Sequence, residues 1–260
     1  MGVYSDIVGT CLKEDWEVKY NLLEELSPAP LHALSLQKNW NPISIKEREW
    51  CFIRNFVAKA KLSHGYELAT GVGLSSIAAG LGMKANLAEF KSAPRMVTMD
   101  AFIEENRHSS LSYVYDAPEC YEDADGYKSV QKLIQHHGLE GIVFPTVGWS
   151  PTDTTRCLSS VFDLEKEKLD YVFIDGMHYW ASVKADIDSI LPYLNRERYA
   201  LFLHDTHAPE LGAILDEYVR AHLGIGFTTC PGCSVAEGCF NLAIVTNIEV
   251  DLATILAPGE

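Results

Sequence analysis

Apolar residues along this chain switch repeatedly between helical and strand spacing. Over 44–61, Trp50, Ile53, Val57 and Ala60 recur three or four positions apart, which predicts a helix leading directly into a first strand that ends near Ala69. An apolar run rich in Ala and Gly predicts a second helix from about Leu74 to about Gly82, and Arg95–Asp100 reads as the second strand. A helix over about 127–137 precedes a third strand over 141–147. Another helix, over about 152–165, runs into the segment 169–176, whose apolar run is the pattern of a strand buried on both faces, with Asp175 at its C-terminal end. Val183, Ile187, Ile190, Leu191 and Leu194 share one face of the next helix, and Tyr199–Leu203 is again a buried strand. Leu211, Ile214, Leu215, Tyr218 and Val219 then form an i, i+3, i+4, i+7, i+8 stripe, and two last strands, 226–230 and 239–246, flank a Pro-Gly turn.

Strands alternating with helices predict an α/β fold with a mostly parallel sheet, helices on both faces and ligands at the carboxyl ends of the strands. The two consecutive late strands fit an antiparallel hairpin at one edge. This domain spans 44–260 and follows an acidic, irregular extension, 1–43, whose one expected helix, about 15–26, ends at Ser27-Pro28-Ala29-Pro30. The segment 104–126 carries Tyr113, Tyr115, Asp116, Tyr121, Glu122 and Asp123 and is long for a connection, so a lid-like insertion is expected there.

The polar signals fall at strand ends. Thr70-Gly71-Val72-Gly73 places two glycines where the backbone must turn sharply and approach a ligand without side chains in the way. Ser75 and Ser76 then lie in the first helical turn, whose free N–H groups face whatever covers the loop. The third glycine of the dinucleotide fingerprint is absent, since position 76 is Ser, and acidic Glu67 stands inside the strand two residues before Ala69. Asp100, with Ala101 beside it, ends the second strand where a carboxylate can accept from two ribose hydroxyls; capping the next helix is its other reading. Gly148 and Trp149 follow the third strand, and the indole is placed either to stack on a ligand ring or to pack on the sheet rim. Asp175, with His178 three residues on, and His204-Asp205-Thr206-His207 close the next two strands. Carboxylates and imidazoles at neighbouring strand ends are a donor set for a divalent cation such as Mg, and Asp175, His204 and Asp205 are the predicted ligands.

Glu67, Ala69, Gly71 and Gly73 together resemble the E-x-G-x-G-x-G signature of class I S-adenosylmethionine-dependent methyltransferases, with Ala69 in place of the first glycine. That resemblance implies a seven-stranded Rossmann-like sheet with its last strand reversed. It also implies an S-adenosylmethionine site formed by Glu67, Ala69, Thr70, Gly71, Gly73, Ser75, Asp100, Ala101, Gly148, Trp149 and Asp175. The second constellation resembles metal-dependent small-molecule O-methyltransferases related to catechol O-methyltransferase, with His178 at their lysine position and Thr206 at their asparagine. The phrases Ile-Asp-Gly-x-His and His-Asp-Thr are closer to sugar O-methyltransferases similar to macrocin O-methyltransferase. Under this resemblance a cation acidifies an acceptor hydroxyl, His178 takes the proton, and Asp175 and His207 complete the catalytic set. The alternatives are a metal-independent N-methyltransferase, a non-catalytic protein that keeps the nucleotide pocket and, more distantly, a nicotinamide-dependent oxidoreductase.

Charge and cysteines narrow the partners. A net charge of −15 repels a phosphate backbone, so a small-molecule acceptor is expected and nucleic acid is not. No apolar run is long enough to span a bilayer, and Met1-Gly2-Val3-Tyr4-Ser5-Asp6 lacks a basic leader, so a cytoplasmic protein is expected. Seven scattered cysteines suit reduced thiols. The closely spaced Cys230, Cys233 and Cys239 could suggest a zinc knuckle, but Pro231-Gly232 reads more simply as a turn. The apolar leading helix is compatible with a homo-oligomer.

Overall fold

The computed structural model describes residues 45–71, 73–101, 126–177, 179–207, 209–239 and 241–255. The extension 1–43, its expected helix, His178 and all but the last residue of the segment 104–126 lie outside them. In chain order the elements are α1 (Glu47–Ala60), β1 (His64–Leu68), α2 (Leu74–Ala85), β2 (Arg95–Asp100), α3 (Gly126–His136), β3 (Val143–Val147) and α4 (Thr154–Ser159). They continue with β4 (Tyr171–Ile174), α5 (Trp180–Ile190), β5 (Ala200–Leu203), α6 (Pro209–Leu223), β6 (Thr228–Thr229) and β7 (Ala243–Thr246). The seven strands form one sheet in the order β3-β2-β1-β4-β5-β7-β6. β1 to β5 pair in parallel, and β7 runs antiparallel to both β5 and β6.

Period-two alternation sorts each strand between two cores. Tyr171 and Phe173 of β4 and Ala200 and Phe202 of β5 face one side, with apolar residues of α1, α2 and α3. Val172, Ile174, Leu201 and Leu203 face the other, with α4, α5 and α6. Phe52 and Phe56 meet Phe202 edge to face, with ring centroids 6.5 and 5.4 Å apart. Gly82 lets α2 lie directly on α1, because a Cβ there would sit 2.5 Å from the Arg54 carbonyl oxygen. The apolar side chains of α1 are therefore used inside this chain.

Several elements are shorter than their apolar patterns suggest. β3 starts at Val143 because Ile142 and Val143 both donate backward to the Leu139 carbonyl, holding that stretch in a turn. α4 ends at Ser159 as Ser160 and Val161 tighten onto Cys157 and Leu158 three residues back. β6 keeps two residues, since Cys230–Cys233 closes a turn and Cys239 donates to Ser234. Ile214 on the predicted stripe of α6 is 40% exposed, while Leu215 and Val219 are buried. No helix among the described residues is long and apolar enough to cross a membrane.

Candidate functional site

The carboxyl ends of β2, β1, β4 and β5 are adjacent, so the residues that follow them share one rim. On the β1 side, the Ala69 and Thr70 N–H groups donate to the Met99 carbonyl at 2.9 and 3.2 Å, tying the loop to β2 as it leaves the sheet. Gly71 and Gly73 have φ of 51° and 85°, the left-handed region that glycine enters without strain. Ala69 enters it too, at 65°, despite its methyl group. The Asp100 carboxylate accepts the Gly71 N–H at 2.9 Å, and Ala101 follows it on the same rim. A Cβ at Gly71 would meet nothing within 4 Å among the described residues.

Glu67 works from beneath this loop. Its Oε1 accepts from the Ser75 and Ser76 hydroxyls at 2.9 and 2.8 Å, with Thr98 Oγ1 at 3.4 Å. The Thr70 and Thr98 hydroxyls bond one another in the same buried network. Its Oε2 is buried with no hydrogen-bond partner among the described residues. Burial pushes the Glu67 carboxyl up to about 8, against the opposing pull of the Ser76 and Ser75 hydroxyls. Ser75 therefore contributes its side chain to the support of the loop rather than to its open surface.

Beyond β3, Gly148 donates to the Asp100 carbonyl at 2.9 Å, and a Cβ there would lie 2.9 Å from atoms of Asp153, Cys157 and Met99. Its lack of a side chain is a packing requirement. Trp149 is 56% exposed, and its backbone N–H is held by Asp153 Oδ2 at 2.9 Å.

At the β4 and β5 ends, His204 is the centre. Its side chain is fully buried, with Nδ1 3.0 Å from Asp175 Oδ1 and 3.4 Å from Asp205 Oδ2. Nε2 lies 3.3 Å from Glu49 Oε2, and Glu49, on α1, is fully buried as well. Burial alone would lower the imidazole, but Asp175, Asp205 and Glu49 outweigh it and hold the group well above the usual histidine range. Asp205 has φ of 55°, and its Oδ1 is 3.7 Å from Nδ1 of the half-exposed His207. Among the described residues, the one grouping suited to a metal is Asp175, His204 and Asp205, with one ligand atom from each within 4.8 Å of the others. The 3.0 Å contact is a hydrogen bond from the imidazole to Asp175, and adjacent ligands of an octahedral ion stand about 3 Å apart, so the same three residues could close on a cation in its place.

The structure thus brings the sequence-predicted residues Asp100, Ala101, Asp175, His204, Asp205 and His207 to one rim, and places Glu67 and Ser75 in the layer supporting it. Glu49 was not anticipated. Its signal was present, because 49, 52, 53 and 56 follow helical spacing and put a carboxylate in line with the apolar stripe of α1.

Residues 67–206, more than half of the chain, match the family described as "Methyltransferase domain". Among solved structures, the O-methyltransferase from Bacillus cereus in complex with SAH is similar over 94% of this chain and 96% of its own, with TM-score 0.55 and 13% identity. Cofactor-bound Rv0187 from MTB aligns over 84% and 88%, with TM-score 0.56 and 15% identity. The O-methyltransferase TomG from Streptomyces achromogenes, involved in tomaymycin synthesis and solved with SAM, aligns over 85% and 87%, with TM-score 0.53 and 12% identity. At these identities the likenesses establish the fold. No curated protein matches the sequence significantly.

Proposed function

Because this chain belongs to the methyltransferase-domain family, we propose that it uses S-adenosylmethionine to move a methyl group onto a hydroxyl oxygen of a small molecule, assisted by a divalent cation. The supporting observation is the single rim: the open glycine loop and the Asp100 carboxylate lie at the β1 and β2 ends, directly beside Asp175, His204 and Asp205 at the β4 and β5 ends. S-adenosylmethionine, when bound, supplies an electrophilic methyl group, and the cation supplies Lewis acidity to the acceptor hydroxyl.

The protein's own residues do the rest. The left-handed bend at 69–73 presents backbone to the donor, and Asp100 is placed to accept from ribose hydroxyls. Asp175 and Asp205, with His204 Nδ1, would hold the cation beside the acceptor oxygen, in a reaction that needs alignment more than covalent catalysis. The C–O bond forms as the C–S bond breaks, and the hydroxyl proton leaves to a nearby imidazole. His178, three residues past Asp175, and His207, beside Asp205, are the candidate bases. Within the family, Ile174-Asp175-Gly176-Met177-His178 and His204-Asp205-Thr206 favour the subgroup resembling macrocin O-methyltransferase, and with it a hydroxylated, sugar-like acceptor.

Calorimetric titration with adenosylhomocysteine, run with Mg and with chelator, tests this reading. Binding is expected in both conditions, with turnover of a hydroxyl acceptor only when Mg is present. Absence of adenosylhomocysteine binding overturns the donor assignment. A metal-free N-methyltransferase is favoured by one feature, the strongly proton-retaining His204, which can balance the surrounding carboxylates without an ion. Chelator-insensitive turnover of an amine would establish that alternative.

A further inference from the structure

We propose that Glu49 is a positioning residue of the metal centre: by accepting the Nε2–H of His204, it holds the ring with Nδ1 turned toward Asp175 and Asp205, so that a cation displacing the Nδ1 proton meets that nitrogen already aimed. This rests on the metal reading above and adds to it a residue from outside the strand ends, 155 positions away in the chain.

The geometry is specific. Imidazole ligates through Nδ1 only once that nitrogen has given up its proton, which without a cation is donated to Asp175 at 3.0 Å, and the ring's orientation is then set by what Nε2 meets. Here Nε2 meets a carboxylate oxygen at 3.3 Å, with both side chains fully buried. Metal-bound histidines commonly donate their second nitrogen to such a partner, which orients the ring and raises its basicity. Glu49 is held for this task. Its Oε2 also accepts the Lys46 N–H at 2.7 Å, which ties the carboxylate to the start of α1, and Phe52 and Phe56 anchor that helix against β5 two residues before His204. On the other side of the ring, Nδ1 stands 3.0 and 3.4 Å from one oxygen each of Asp175 and Asp205. A buried carboxylate with an apolar helix behind it and an imidazole in front does more than cap a helix, because an N-terminal cap can be made in water without burying a charge.

The test is Mn binding to the full chain, followed by water-proton relaxation, for the parent, Glu49→Gln, Glu49→Ala and Asp205→Ala. Adenosylhomocysteine affinity reports that each variant keeps its fold. Glu49→Ala is expected to bind Mn about 10- to 100-fold more weakly. Glu49→Gln, which keeps the shape and loses the charge, is expected near ~10-fold, and both should bind adenosylhomocysteine as the parent does. Parent-like Mn affinity in Glu49→Gln overturns the proposal, whether or not Glu49→Ala folds. If the parent binds adenosylhomocysteine but no Mn, the metal reading falls and this proposal with it. If Asp205→Ala loses Mn while both Glu49 variants keep it, only the role of Glu49 falls. In the Mg-loaded parent, the His204 ring nitrogens should show a proton on Nε2 alone, and protons on both would also overturn the assignment.

Discussion

At the β1–β2 end of the rim the groups turned toward a ligand are mostly backbone, with the Asp100 carboxylate bonded to the loop, and these parts lie within about thirty-five residues of sequence. At the β4–β5 end they are side chains of opposite charge packed around a buried imidazole, drawn from α1, β4 and β5. The first end is expected to tolerate charge changes in its neighbour, because its own geometry is set by glycine φ angles and strand pairing. The second is a balance of charges in a low-dielectric interior, where removing one member leaves the others uncompensated.

The comparison breaks most readily at Glu67, which supports the donor end yet carries a titrating carboxyl. Its folded value of about 8 lies above the ordinary 4.5, so the folded state holds the proton more tightly. The stability this provides is complete below about pH 4.5, falls as pH rises toward 8 and is gone above it. Relative to Glu67→Gln, the parent should lose on the order of 5 kcal/mol of unfolding free energy across that window, read by denaturant melts at stepped pH. A constant difference between the two proteins would show that the carboxyl is not held neutral.

Asp205→Ala comes next. Methyl transfer to a hydroxyl should fall about 100-fold or more, roughly 3 kcal/mol, while adenosylhomocysteine affinity stays within about threefold. A parallel loss of both would mean that the two ends are not separable. Asp100→Ala should do the reverse: adenosylhomocysteine binding at least ~10-fold weaker by calorimetry, with Mn affinity unchanged. The smallest effect is expected from Ala69→Gly. Relief of a left-handed alanine is worth about 1–2 kcal/mol, and the extra freedom of glycine in the unfolded chain takes back about half of that. A gain in stability below about 1 kcal/mol should appear as a small rise in Tm, and a loss would mean that the Ala69 methyl makes contacts that outweigh its strain.

The same contrast explains what was legible in the sequence. The donor end is local, so glycine spacing, Glu67 and the acidic end of Arg95–Asp100 were enough to place it. What the pattern could not convey was direction: Ser75 points inward to Glu67, and Gly148 is small because Met99, Asp153 and Cys157 crowd it. At the other end, Asp175, His204 and Asp205 were visible as strand-end polar residues. Glu49 shares the helical spacing of Phe52, Ile53 and Phe56, but Glu47-Arg48-Glu49 at a helix start also reads as an ordinary solvated first turn, and only the packing of α1 on β5 decides for burial. Strand lengths were overestimated where turn hydrogen bonds, as at Leu139 and Cys230, took over apolar residues that the pattern gave to strands.

The contact between Glu49 and His204 also sets an order of events during synthesis. Its partner residue emerges from the ribosome 155 positions later, an interval of roughly 8–30 s at ordinary elongation rates. Through that time the nascent chain carries an acidic side chain within an apolar helix that has no finished sheet to receive it. A polypeptide arrested before β5 is therefore expected to leave this helix accessible to protease, and release of the arrest to protect it.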